Sequence, residues 1–213
     1  MAMDKTKINL SEPIRRSFLV PDIRAEEGTG IVEGHAAVFD QKVDIGGWFF
    51  EVIERGAFDG CDFDDVLMCV NHDIRKVPLA RSRRNNGNST MQISVDDKGL
   101  LTKATLDLEK NYDAKAVHSS IARGDMTGMS FMFIVSAQSW TELDTDMPTR
   151  HITKIKRVLE LGPVNFPAYP GTDISARDQQ TLDNARRELD NARSQQLDSR
   201  KGSWNPYIRV TGK

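Results

Sequence analysis

Ser130, His72 and Glu160 are the residues of this sequence whose types can do chemistry together. A hydroxyl nucleophile needs a base to take its proton, and the base needs a third group to fix its tautomer. Serine, histidine and glutamate supply those three roles, and hydrolysis through an acyl intermediate is the chemistry they would support. Such residues occur in almost any chain, so the flanking sequence carries the weight. It reads Val70-Asn71-His72-Asp73, Gly128-Met129-Ser130-Phe131, and Leu159-Glu160-Leu161-Gly162 running into Phe166-Pro167-Ala168.

Each member has rivals. His35 lies on an early strand pattern and His118 in the middle of a helical one, where surface or packing roles suffice. His151 follows the polar loop 144–150 and is expected to be exposed. His72 is preferred because it ends an apolar run beside polar Asn71 and Asp73. Asp73 is adjacent to His72, but neighbouring strand residues point to opposite faces. Glu160, at the expected end of its own strand, is therefore the better third member. Ser130 follows the flexible stretch 123–128 and opens a very apolar strand. Its surroundings are not the nucleophile elbow of α/β-hydrolases, because Met132 stands where that motif needs Gly. Gly128 can let the backbone approach a substrate or take a positive φ.

The elements that must position these residues are mostly short strands. Alternation predicts one over 31–39 and another over 48–53, with a helical turn over 54–58. The run 66–72 reads as a buried strand on which His72 shares a face with Met68 and Val70. Cys69 then points the other way. That placement argues against a Cys69–His72 cysteine-protease pair and against a metal site at Cys61, Cys69 and His72, which also lacks ligand spacing. Asp96-Asp97-Lys98-Gly99 predicts a hairpin between strands at 91–95 and 100–106. A helix is expected over 112–123, with Asn111 as N-cap and Gly124 as the stop. Strands follow at 129–135 and 152–160. Many strands around few helices predict an α+β domain with a mainly antiparallel, barrel-like sheet.

Composition sets the boundaries. Residues 1–16 are polar and read as a flexible arm, 17–177 as the folded domain, and 178–213 as a helical or disordered tail. In that tail Leu182, Ala185, Leu189 and Ala192 form a short heptad-like stripe, either on a solvated helix or as a docking face for a partner or second copy. Trp204, Pro206 and Tyr207 are possible anchors for such a contact. The chain has 213 residues, enough for one core with an appendage, and a formal net charge of −2. That charge gives no reason to expect nucleic-acid binding, and no apolar run suits a membrane. The first residues lack the apolar core of a secretion signal. Two cysteines suit a reducing compartment.

The flanking motifs, taken in order, resemble those of the HK97-type phage prohead protease family. They are Gly34-His35-Ala36-Ala37-Val38-Phe39, Glu54-Arg55-Gly56-Ala57-Phe58, Asn71-His72-Asp73 with Pro78-Leu79-Ala80-Arg81, Gly99-Leu100, Gly128-Met129-Ser130-Phe131, and Glu160 with Phe166-Pro167-Ala168-Tyr169-Pro170. This chain has Ala80 where the family usually has Gly, and Leu161-Gly162-Pro163 where it often has a hydrophobic residue and Ser. The resemblance implies a fold similar to herpesvirus assembly proteases and a serine endopeptidase with Ser130 as nucleophile, His72 as base and Glu160 as orienting acid. By similarity to the arginines of herpesvirus proteases, Arg81 is a candidate for the oxyanion or substrate site, the alternative being a surface arginine in the basic cluster Arg81, Arg83 and Arg84; Gly128 and Met129 are further candidates for that site. It implies cleavage of the scaffold, or the scaffold-like arm of the major capsid protein, and of the enzyme itself, inside the assembling prohead in the host cytoplasm. A homo-oligomer is possible. This mechanism needs no metal or organic cofactor. Two rival functions are a non-enzymatic capsid-assembly or scaffolding protein with the same fold, and a serine hydrolase acting on esters.

Overall fold

The computed structural model describes residues 13–19, 22–165 and 176–202. Among these residues the elements run β1 (Ile14–Leu19), β2 (Arg24–Ala25), β3 (Ile31–Val38), β4 (Val43–Ile45), β5 (Phe49–Ile53), β6 (Val66–Met68) and β7 (Ala80–Ser82). They continue with β8 (Met91–Val95), β9 (Gly99–Thr105), α1 (Tyr112–Ala122), β10 (Gly128–Thr141), β11 (Thr149–Val164) and α2 (Ala176–Gly202). The fold is α+β, as expected. A seven-stranded sheet has the order β1-β10-β11-β5-β4, with β6 on β11 and β7 on β6. A four-stranded sheet has the order β2-β3-β9-β8.

Local sequence explains several of these elements. The β8–β9 hairpin turns on Asp96, whose Oδ1 accepts from Lys98 N at 2.8 Å and Gly99 N at 2.9 Å. An Asp side chain that binds the backbone just after itself closes such a turn. α1 starts where Asn111 Oδ1 accepts from Ala114 N at 3.1 Å. Its inner face buries Ala114, Val117, His118 and Ile121.

The β10–β11 hairpin is the spine. Its ladder runs from Gly128↔Val164 to Thr141↔Thr149, and register shifts between 132 and 138 bend it. Phe131 and Phe133 stack at 4.3 Å in the core beside Ile152, Ile155, Val158 and Leu161. The expected barrel does not close: β1 and β4 end the strand order without pairing. Nor is every ladder antiparallel. β11 runs parallel to β5 at Thr149–Ile152 and parallel to β6 at Glu160–Leu161. The 16-residue β11 pairs with β10 along its whole length and offers each end of its other edge to a strand arriving from a crossover. A side-chain bridge crosses the sheet, Arg16 on β1 reaching Glu51 on β5.

Two boundaries differ from expectation. Residue 17 falls inside β1, so the end of the expected loose arm is a paired strand. In α2, the stripe residues Leu182, Ala185 and Leu189 are buried, and the first two pack on Phe49 with Ile45 and Trp140 beside them. Arg186 stacks over Trp48 at 3.6 Å. The first half of the stripe is covered by this chain's own sheet. The segment 166–170 and the residues Trp204, Pro206 and Tyr207 lie outside the described residues.

Candidate active site

Ser130 and Met132 share one face of β10 by strand alternation, and Glu160 on β11 is the cross-strand partner of Met132. The ladder thus sets Ser130 and Glu160 on the same side of the sheet. Glu160 is not at a strand end, as expected, but inside β11, held between β10 and β6.

His72 reaches this face from a loop. The expected strand 66–72 stops at Met68, so the alternation that seemed to orient His72 does not apply to it. Asn71 and His72 instead have φ of 50° and 59°. The left-handed region costs a non-glycine residue energy, and such strain persists only where surroundings enforce it. Here the enforcement is visible. Cys69 N donates to Leu161 O and Asn71 N to Pro163 O, both at 3.2 Å, so the chain runs along the end of β11. Asn71 Oδ1 accepts from Asn165 N at 3.0 Å. A Cβ on Gly162 would sit 1.9 Å from Cys69 O. Glycine at 162 is therefore what lets the His72 loop lie against the strand that carries Glu160.

The result is a connected row. His72 Nδ1 lies 2.5 Å from Glu160 Oε2, and His72 Nε2 is in hydrogen-bond contact with Ser130 Oγ. A carboxylate only accepts, so Nδ1 carries the proton, and in the neutral ring Nε2 is left as the acceptor facing the hydroxyl. Ser130 is fully buried and Glu160 nearly so. Glu160 Oε1 is buried without a hydrogen-bond partner, which concentrates the carboxylate's interaction on the imidazole. Ser130 Oγ also lies 2.7 Å from the backbone oxygen of Arg16 on β1.

The other sequence candidates lie elsewhere. The Arg81 fork is taken by Asp65, Nε to Oδ1 at 2.6 Å and Nη2 to Oδ2 at 2.8 Å. Gly128 opens β10 between Leu19 and Val164. The Met129 side chain is buried in the core, packed toward Gly34. Asp73 turns away from the ring to Arg75, 3.1 Å from its Nε. His35 is clamped between Asp22 and Asp96, and His118 faces Glu26 O. His151, expected to be exposed, is half-buried in β11, between Glu54 Oε1 at 2.5 Å and Thr141 Oγ1 at 2.8 Å. Burial, with Asp62 second, pushes the Cys61 thiol up to about 12. Burial, with Glu160 and Asp73 next, pushes Cys69 up to about 11. Neither is a ready thiolate nucleophile. Among the described residues no His, Cys, Asp and Glu group suits a metal ion, and no helix is long and apolar enough to cross a membrane.

Next to this row is a buried charge cluster that sequence reasoning missed. Glu51 takes Arg16 at 2.5 Å and 3.0 Å, and Arg150 Nη1 at 3.0 Å. Arg150 Nε donates to Gln138 Oε1 at 2.7 Å, and its Nη2 lies 3.5 Å from Glu188 on α2. Burial pushes the Glu51 carboxyl up, but the two guanidinium groups together outweigh it and hold the group below its ordinary value.

A family model described as caudovirus prohead serine protease matches residues 20–187 of the chain. Among solved structures, the bacteriophage T4 capsid assembly protease aligns with a TM-score of 0.38 and 12% identity, over 72% of this chain and 98% of that one. No curated protein matches.

Proposed function

This chain belongs to the caudovirus prohead serine protease family, and from that premise we propose that Ser130, His72 and Glu160 are its catalytic triad. The observation that carries the reading is the His72 ring bridging Ser130 Oγ and Glu160. Ser130 Oγ bonds to the scissile carbonyl carbon as its proton passes to His72 Nε2. The carbon–nitrogen bond then breaks, and the same proton goes to the leaving amine. Water, deprotonated in turn by His72, hydrolyses the acyl-enzyme and restores Ser130. Glu160 keeps the Nδ1 proton in place and stabilises the imidazolium formed in each half-reaction.

The substrates in this reading are the scaffold or the scaffold-like arm of the major capsid protein, and the protease itself, cut inside the assembling prohead in the host cytoplasm. With the Arg81 fork engaged by Asp65, backbone N–H groups are the proposed source of oxyanion stabilisation. Co-expression with its capsid protein, followed by intact mass measurement of both chains, tests the reading. Site-specific shortening that disappears in Ser130→Ala supports it. Unshortened chains in both cases would leave a scaffolding role, and hydrolysis of a small ester without shortening would leave an esterase.

A further inference from the structure

Ser130 is fully buried because a strand lies beside it. β1 pairs antiparallel with β10 from Ile14↔Phe133 to Leu19↔Gly128, with Ser17 directly opposite Ser130. The backbone oxygen nearest the hydroxyl is that of Arg16, at 2.7 Å. A serine hydroxyl has one hydrogen. If it is donated to a carbonyl oxygen, it is not available to His72. The strand therefore stands where a peptide substrate must stand, in a geometry that withholds the proton the reaction needs. β1 also lies outside the residues 20–187 that match the family.

The side chain of the same residue identifies what such a strand must carry. Arg16 is held by both oxygens of Glu51, with the two side chains 12% and 3% exposed. The cluster contains two guanidinium groups, Arg16 and Arg150, and two carboxylates, Glu51 and Glu188. Taking Arg16 away leaves two carboxylates and one cation in a buried place. An uncompensated buried charge is costly, so a strand that replaces β1 is selected for a cation at the Arg16 position. Removing β1 would also bare one edge of β10, and an exposed strand edge takes up extended peptide by backbone pairing.

We propose that the β10 edge at residues 128–133 is the substrate-strand site, that β1 is its resident occupant, and that Glu51 selects Arg or Lys as the residue whose carbonyl faces Ser130. β1 thus holds the enzyme closed until a basic-residue strand displaces it. The inference rests on Ser130 being the nucleophile.

The test uses full-length protein and six-residue peptides with the sequence Ile-Arg-X-Ser-Phe-Leu, where X is Arg, Lys, Gln, Glu or Leu. Mass spectrometry follows cleavage after X by wild type and by Arg16→Gln, which loosens the occupant. Fluorescence anisotropy follows binding of the same peptides to the doubly substituted Ser130→Ala/Arg16→Gln protein, without turnover. The expected result is a preference for Arg and Lys of at least ~10-fold over Gln and Leu, the scale of one close charge pair. Arg16→Gln should cleave them faster than wild type, and Glu51→Gln should flatten the preference. If Glu51→Gln fails to fold, the peptide series on Arg16→Gln still decides. Cleavage without preference for a basic X overturns this inference and spares the triad. Selective binding without cleavage overturns the triad, and with it the reading of the β10 edge as a substrate site, and keeps only a docking site for basic strands. Neither cleavage nor binding overturns both.

Discussion

Arg16 Nε lies 2.5 Å from Glu51 Oε1, a bridge between strands that have β10 and β11 between them in the sheet. It ties β1 to β5 with no backbone pairing between them. The sign of its pH dependence follows from Glu51, whose carboxyl is held below its ordinary value of 4.5. The unfolded chain then takes up the proton before the folded one does. Stability from this group is fully present above about pH 4.5 and is lost as pH falls through the folded value. Glu51→Gln should cost about 3–5 kcal/mol at pH 7, because both arginines lose a buried partner. Its deficit against wild type should shrink below pH 4.5. Urea unfolding at pH 7 and pH 3.5 measures both, and an equal deficit at the two values would contradict the assignment.

Ser130→Ala should abolish cleavage of the capsid protein while the fold persists. The hydroxyl is buried among His72 and the Arg16 carbonyl, and its loss leaves no large cavity. The stability change should stay within about 1–3 kcal/mol, the range for a buried hydrogen bond left unmade. The rate should fall by several orders of magnitude, roughly to the level that binding alone supports. Capsid-protein processing at the wild-type rate by the alanine protein would remove Ser130 from the mechanism.

His72→Ala should match Ser130→Ala in rate, since nucleophile and base act as a unit. Glu160→Gln should be less damaging, by up to about a hundredfold, as for the orienting acid in related triads. Asp73→Asn should be harmless to turnover, because its carboxylate faces Arg75. Peptide turnover by the three purified proteins decides the order. A crippled Asp73→Asn beside an active Glu160→Gln would reassign the third position.

The three candidate residues of the proposed triad could be picked out in the sequence because their neighbours are unusual residue types at ordered spacings, whereas their geometry could not. Alternation put His72 on a strand, but the strand ends at Met68 and the histidine is held by backbone contacts to Leu161 and Pro163 from a distant segment. No local pattern encodes such contacts. The hairpin at Asp96 and the cap at Asn111 were legible because their chemistry lies within three residues. The parallel pairing of β11 with β5 was not, since tertiary packing chooses that register. Glu51 did leave a signal. It is the one charged residue in Phe49-Phe50-Glu51-Val52-Ile53, and an acid in so apolar a strand needs a buried cation.

The last prediction concerns α2, which the composition shift suggested was a solvated or partner-facing tail. Leu182 and Leu189 are each 5% exposed, while Leu197 on the same helix is 55% exposed. Leu182→Ala should therefore cost about 2–3 kcal/mol, the lower part of the range for emptying a leucine site, since a helix laid on a sheet can partly settle. Leu189→Ala should be similar. Leu197→Ala should change stability by no more than about 0.5 kcal/mol, as exposed substitutions do. The helix's polar link acts in the same direction, because Glu188 sits beside Arg150 and Gln138. Truncation before residue 176 should thus lower the unfolding midpoint by uncovering Phe49 and Trp140 and removing one carboxylate from the buried cluster. Urea midpoints for the three leucine variants and the truncated chain give the comparison. Equal midpoints for Leu182→Ala and Leu197→Ala would mean that α2 does not lie on this sheet in solution.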